Sequence, residues 1–361
     1  MSDKQLILVA VAALWAAVLA LGWIVAAELG RPGLRRHAGA LTILVLALLS
    51  FPAAGVLKVG LRYKQRIVAL VFRPESPRVE LTGGCSIFPA DNIWNTPASG
   101  LPVDAASRAY VEAMGAGLPL HADFGAAAGI PYAVTAGAPE ADVNFDAYGG
   151  ESDPGPYRIP GNAPVENGGD GHLVVVDMGA CRLYELFQAR HDGERRWTAS
   201  AGARYDLRSN RLRPAGWTSA DAAGLPIFPG LVRYDEVKAG RIGHALRFTT
   251  RRTRAAFVWP ARHRASSSND PALPPMGQRF RLKATVDLSG FSPEARVILT
   301  ALKEYGMILA DNGGPWYVTG APDSRWSAAV LREMGKIQGG DFDAVDTSGL
   351  MMDSNSSAAK R

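Results

Sequence analysis

Two stretches hold residue types suited to acid–base chemistry. In GGDGHLVVVDMGACRLYELFQ, residues 168–188, Glu185 shares a strand face with Leu183 and Phe187. A carboxylate on such a face is costly unless it is partnered. A two-residue turn at Met178–Gly179 sets His172 opposite Glu185, Val174 opposite Leu183 and Asp170 opposite Phe187. A desolvated glutamate has a raised pKa and can donate a proton near neutral pH, with a neighbouring histidine as base or holder. Pairing HALRFTT with AAFVWPARH around Arg252–Thr253 brings Phe248 opposite Phe257 and gathers His244 and His263 at one end of an apolar face. The candidate catalytic set is therefore Glu185, His172, Asp170, His244 and His263. The competing expectation is that Glu185 and His172 simply satisfy each other in the core.

Other side chains suit binding. Trp217 and Trp316 stand beside Gly, Pro or Thr in loop-like sequence, where indoles can stack on sugar rings. Arg208 and Arg213, with Arg204 and Arg211, could clamp carboxylates or sulfates of an acidic polymer. Histidines with a carboxylate would suit zinc or a similar ion, but no short-spaced motif such as HExxH occurs, and no cofactor is expected. Asp91 and Asn92, and Asp142, Asp146, Glu151 and Asp153, offer oxygens without the spacing of a calcium loop. GxxxxGK[ST], GxGxxG and GxSxG are absent from the sequence, so nucleotide-binding and nucleophile-elbow chemistry lose their usual support.

The elements that must position these residues are mostly strands. DVNFDAYG, HLVVVD, CRLYELFQ, HALRFTT, AAFVWPA, FRLKATVDL and MILAD are short, rich in β-branched and aromatic residues, and bounded by turn formers. A helix over 293–305 is capped by Ser292, carries Pro293 in its first turn and ends at Gly306. Asp104 is expected to cap a helix reaching Met114, and TSADAAG and YDEVKAG to form single helical turns. The expected fold is mostly β: a β-sandwich or jelly-roll-like domain with short helical insertions.

The 361-residue chain has a net charge of +5, but the charge is unevenly spread. Residues 1–73 carry nine Lys/Arg and two acidic residues, leaving 30 basic and 32 acidic residues downstream. The basic excess flanks apolar runs, which excludes a nucleic-acid partner as its explanation. Residues 6–27 and 38–57 are uncharged and long enough to cross a bilayer, so residues 1–65 are expected to form a two-helix transmembrane hairpin. A cleaved signal with one anchor is the alternative. Arginines in the link and basic residues after the second run give opposite orientations. Residues 66–84 read as a linker, 85–346 as one β-rich domain, and 347–361 as a disordered polar tail. Cys85 and Cys181 permit one disulfide, natural outside the cytoplasm, or two buried thiols.

The segments CSIFPADNIWNTPASGLPVDAASRAY, GWTSADAAGLPIFPGLVRYDEV, FVWPARH and YGMILADNGGPW resemble a family of predicted secreted or surface bacterial proteins, over about residues 85–335. The resemblance implies an extracytoplasmic domain on a bacterial inner or plasma membrane, and brings no catalytic residues with it. Together these readings lead to a membrane-anchored domain acting on an envelope or extracellular polysaccharide, as hydrolase or lyase. The alternative is a non-catalytic glycan-binding or envelope-interaction module.

Overall fold

A computed structural model of the protein describes residues 84–360. Both expected membrane spans lie outside the described residues. Among those described, no helix is long and apolar enough to cross a membrane.

The domain is β-rich and contains three sheets. In the six-stranded sheet the order is β1 (His121–Asp123), β13 (Tyr317–Thr319), β10 (Leu246–Thr250), β12 (Met307–Asn312), β11 (Arg279–Leu282) and β14 (Phe342–Val345). A second sheet orders β2 (Tyr132–Thr135), β5 (Leu173–Asp177), β6 (Arg182–Phe187) and β9 (Ala201–Asp206). The third orders β4 (Tyr157–Arg158), β3 (Glu140–Phe145), β8 (Arg196–Ala199) and β7 (Arg190–His191). The two four-stranded sheets pack face to face over Leu173, Val175, Tyr184, Leu186, Tyr157 and Trp197. The other face of the β5–β6 sheet, with Val174, Val176 and Leu183, joins the main core. That explains why every residue of β5 is buried and apolar until Asp177.

A sandwich or jelly roll would be antiparallel throughout, but β1–β13, β10–β12, β2–β5 and β3–β8 are parallel pairs. Three short helices, α1 (Ser107–Met114), α2 (Tyr234–Lys238) and α3 (Pro293–Glu304), were legible, although α1 starts later than Asp104. A fourth, α4 (Ala328–Met334), was not expected. TSADAAG is a turn rather than a helix.

Both expected hairpins need correction. In the first, Asp177 pairs with Arg182 and Val174 with Glu185, so a four-residue connection replaces the two-residue turn and His172 is not opposite Glu185. The shift is two residues, which preserves every side chain's face. The second hairpin does not form: β10 pairs with β12 and β13, while Phe257 bridges Met276. Phe248 instead meets Phe280 and Trp316 in the core.

The polar tail is also ordered, through Lys360. Arg262 donates to the Ser354 carbonyl at 2.6 Å, Trp259 Nε1 to that of Ser356 at 2.8 Å, and Asn92 Nδ2 to Ser357 Oγ at 2.8 Å. Donors on the domain meet part of its polarity, while residues 351–355 stay exposed.

Cys85 and Cys181 form a disulfide, both half-cystines buried, that ties the start of the domain to the β5–β6 connection across 96 residues. Closing so long a loop is worth about 5 kcal/mol in the chain-entropy account. The Cys85→Ala/Cys181→Ala double variant is expected to lose a stability of that order, read as a lower urea midpoint by tryptophan fluorescence.

Candidate functional site

Glu185 is fully buried, between Val174 and Ala203 on the neighbouring strands. Its carboxylate accepts the backbone N–H of Ile227 at 3.0 Å and of Phe228 at 2.9 Å, at the start of a 3-10 turn, Phe228–Gly230. Burial pushes its pKa up to about 7, against the pull of those two N–H groups. No face of this carboxylate is open to a polymer. Its evident role is to fasten the LPIFPG turn to the sheet.

His172 is equally sealed. Its Nδ1 lies 2.5 Å from Glu166 Oε2 and its Nε2 3.1 Å from the Ala220 carbonyl. Both neighbours are acceptors when Glu166 is ionised, so each ring nitrogen is placed to donate. Burial alone would lower its pKa, but the Glu166 hydrogen bond and charge outweigh that, and the net shift is upward.

The remaining candidates separate. Asp170 is exposed, and its carbonyl accepts from Gln188 N at 2.8 Å. His244 is buried with Arg233 and Glu236, at 2.8 and 3.2 Å from its Nε2. His263 Nδ1 lies 2.9 Å from the Ala222 carbonyl, so the two histidines do not share a face through a hairpin. Trp316 is not in an exposed loop: it is fully buried, parallel to Phe342 at 5.3 Å, with Nε1 donating to the Gly115 carbonyl. Arg213 is buried, pairs with Asp153, donates to the carbonyls of Thr218 and Glu151, and lies 5.6 Å over the half-buried Trp217 ring. Arg208 is exposed, with its backbone N–H on Asp206. Among the described residues no group of three His, Cys, Asp or Glu is placed to hold a metal. Asp153 and Glu151, considered for a cation, are instead taken up by Arg213 and the Thr218 N–H.

A different cluster emerges on the six-stranded sheet. Strand alternation puts Phe248 and Val318 on its core face, and therefore Arg247, Thr249, Tyr317 and Thr319 on the other. The β1–β13 register adds His121 and Asp123. Arg247 is buried and donates from Nε and Nη2 to the two oxygens of Asp221 at 2.7 and 2.8 Å, and from Nη1 to Thr319 Oγ1 at 2.6 Å. Its Nη2 is also 3.7 Å from Asp311 Oδ2. The Asp221 carboxylate is wholly enclosed, whereas Asp311 keeps 26% of its side-chain surface open.

Asp311 is therefore the reachable carboxyl of this frame. Burial and the Asp221 charge raise its pKa to about 7, with Arg247 pulling the other way. Asp123 is also raised, by burial first and by the charges of Glu166 and Asp170, with His121 and Arg247 opposing. His121 is exposed and stacks on Tyr317 at 4.0 Å.

Local sequence explains the placement. After Asp311 the chain runs Asn312-Gly313-Gly314 flat against the sheet. A Cβ on Gly313 would fall 2.8 Å from Thr249 Oγ1, and one on Gly314 2.5 Å from the Tyr317 ring. The Asp221 turn is held to β12 by Ala223 N donating to the Ala310 carbonyl at 2.9 Å.

Asp221, Arg247 and Asp311 lie in segments whose patterns predict a helical turn and two strands, with no motif that marks them as a site. The usable signal was Arg247, a charge between Leu246 and Phe248 in a strand otherwise read as core. The chain matches no known family model, no curated protein and no solved structure.

Two outcomes follow for Glu185. Glu185→Leu leaves two buried N–H groups without an acceptor and should cost about 2–4 kcal/mol in urea unfolding, with Glu185→Gln costing less because one oxygen remains. A carboxyl raised from 4.5 to about 7 binds its proton more tightly in the folded state. Its contribution is therefore full below pH 4.5 and is lost as pH rises to about 7, a fall of roughly 3 kcal/mol that Glu185→Gln should abolish.

Proposed function

We propose that this domain is an enzyme acting on an extracellular or envelope polysaccharide by proton transfer, and that Asp311 rather than Glu185 transfers the proton. The observation that carries the reading is the placement of Asp311: a carboxyl partly open to solvent, 3.7 Å from a buried Arg247 that is itself paired with Asp221, with burial pushing its pKa up to about 7. The buried carboxylates of Asp221 and Glu236 are each met by close donors; this one is held at 3.7 Å from its cation and keeps a free edge. Carboxyls tuned upward beside a fixed charge are enriched at catalytic sites. Asp311 acts as general acid toward the leaving oxygen of a glycosidic bond, and Asp123, flanked by His121 and Arg247, serves as the base on the same sheet face. The His121–Tyr317 stack offers an aromatic surface for a sugar ring at the edge of that face.

Arg247, Thr249 and Thr319 are buried, so a substrate meets this face at its margin, where His121 is exposed and Asp123 and Asp311 are half-buried. The buried disulfide supports the extracytoplasmic side, where the two apolar runs would anchor the chain in the bilayer. A purely binding module would present indoles on its surface, yet Trp94, Trp197, Trp316 and Trp326 are buried and Trp217 and Trp259 half-buried.

Asp311→Asn should lower turnover about 10³-fold while leaving the melting temperature within a few degrees, because general acid–base groups contribute 10²–10⁴. The test scores new reducing ends and unsaturated products against a panel of neutral and acidic polysaccharides. Wild-type activity should fall as pH rises through about 7, where Asp311 loses its proton. Unchanged turnover in a folded Asp311→Asn protein would remove Asp311 from the mechanism.

A further inference from the structure

The corner of the sheet beside Asp311 is basic. β10 ends at Thr250, paired with Asn312, and the chain continues through Arg251 and Arg252. Thr253 Oγ1 then donates to Asn312 Oδ1 at 2.9 Å, which holds this turn against the residue following Asp311. Asn312 Nδ2 donates in turn to the Ala265 carbonyl at 3.1 Å, and so brings Arg264 to the same corner. Arg251, Arg252 and Arg264 are all exposed.

These arginines differ from the buried ones discussed above, although Arg208 and Arg211 are also exposed without an ion pair among the described residues. Arg213, Arg233 and Arg247 are buried and each pairs with a carboxylate. Among the described residues, Arg251, Arg252 and Arg264 form no ion pair with a carboxylate. Residues 74–361 carry slightly more acid than base, so this corner is not a sample of a generally basic surface. Adjacent unpaired guanidiniums repel one another, and a bound anion relieves that repulsion. Guanidinium is also the side chain whose planar fork matches carboxylate and sulfate oxygens two at a time.

We infer that the polysaccharide bound here is anionic, its carboxylate or sulfate groups held by Arg251, Arg252 and Arg264 next to Asp311. This rests on the reading of Asp311 as the proton-transfer residue for its catalytic meaning, but the binding can be measured independently. The arginines seat an acidic sugar with its glycosidic oxygen toward Asp311, and their positive charge offsets that of the substrate as it enters a face lined by Asp123, Glu166 and Asp311.

The test uses the full chain in detergent, as wild type, as Arg251→Ser/Arg252→Ser/Arg264→Ser, and as Asp311→Asn. Binding is measured to polygalacturonate, its methyl ester, chondroitin sulfate and dextran, and cleavage is scored in parallel. The triple variant retains all nine basic residues of 1–73, so attraction by that segment is present in both proteins. Wild type should bind at least one of the two polyanions and neither neutral polymer. The triple variant should bind about tenfold more weakly, the loss expected for three exposed charge contacts acting together. Asp311→Asn should keep the binding. Whether polygalacturonate or chondroitin sulfate binds tighter distinguishes carboxylate from sulfate as the recognised group. Equal binding of the methyl ester, or equal affinity in the triple variant, would overturn the assignment. So would failure to bind either polyanion. Polyanion binding without cleavage would keep the arginine assignment and remove the catalytic reading. Asp311-dependent cleavage of dextran alone would do the reverse.

Discussion

The site depends on one buried guanidinium. Arg247 sits in the middle of β10 with its back to the Phe248 core, and burying its charge would be prohibitive without compensation. Asp221 supplies that compensation with both oxygens, and Thr319 takes a further N–H. Once Asp221 is fixed, so is the turn that carries it. The Ala220 carbonyl then receives His172, the Ala222 carbonyl receives His263, and Ala223 N binds β12 just before Asp311. A second turn closes from the other side. Gly230 lies so near the Arg247 stem that a Cβ there would come within 2.7 Å of it, and Glu185 fastens that turn through Ile227 and Phe228. Glu185 thus contributes to the site at a distance, by holding what covers Arg247.

The domain contains several buried charges, and the contrast among them gives Asp311 its significance. Arg279 is enclosed and donates to the carbonyls of Tyr305, Thr96 and Ile93, its pKa drawn down to about 9 by burial. Arg233, Glu236 and His244 close on one another, and Glu236 is held below the usual carboxylate range by the Arg233 guanidinium despite its burial. Arg213 bridges the 151–153 loop to the 213–218 loop. Arg279 and Arg213 join distant segments of chain, while Arg233, Glu236 and His244 close a local loop. Asp311 has one backbone donor, Asn312 N, a cation at longer range, and an open edge. Full pairing marks the groups that build the fold, and incomplete pairing at an open edge marks the group available for chemistry.

Much of the fold was legible from local pattern. Strand alternation located β5, β6, β10 and β12, capping and proline chemistry located α3, and the cysteines pair. The face occupied by Glu185 was also readable, because a two-residue register error leaves side-chain faces unchanged. Its partners were not: they are backbone N–H groups at Ile227 and Phe228, which leave no mark in residue types. The second hairpin misled because apolar alternation cannot choose among partners, and β10 finds its neighbours at β12 and β13, about sixty residues on or more. The same long-range pairing hid the site. Asp123, Asp221, Arg247 and Asp311 come from four separated segments that meet only when β1, β13, β10 and β12 lie side by side. Trp316 illustrates the converse, since glycine and proline neighbours suggested an exposed loop while the indole fills the centre of the core.

The central claim is that burial, with the Asp221 charge beside it, keeps Asp311 partly protonated at neutral pH against the pull of Arg247. Its most direct test is a carbon-13 titration of aspartate-labelled full-length protein, with Asp311→Asn identifying the resonance. The account predicts a midpoint near 7 for Asp311, moving toward the ordinary carboxylate range when Asp221→Asn removes the adjacent charge. A midpoint already within the ordinary range in the wild-type protein would contradict it and leave this sheet face without a proton donor.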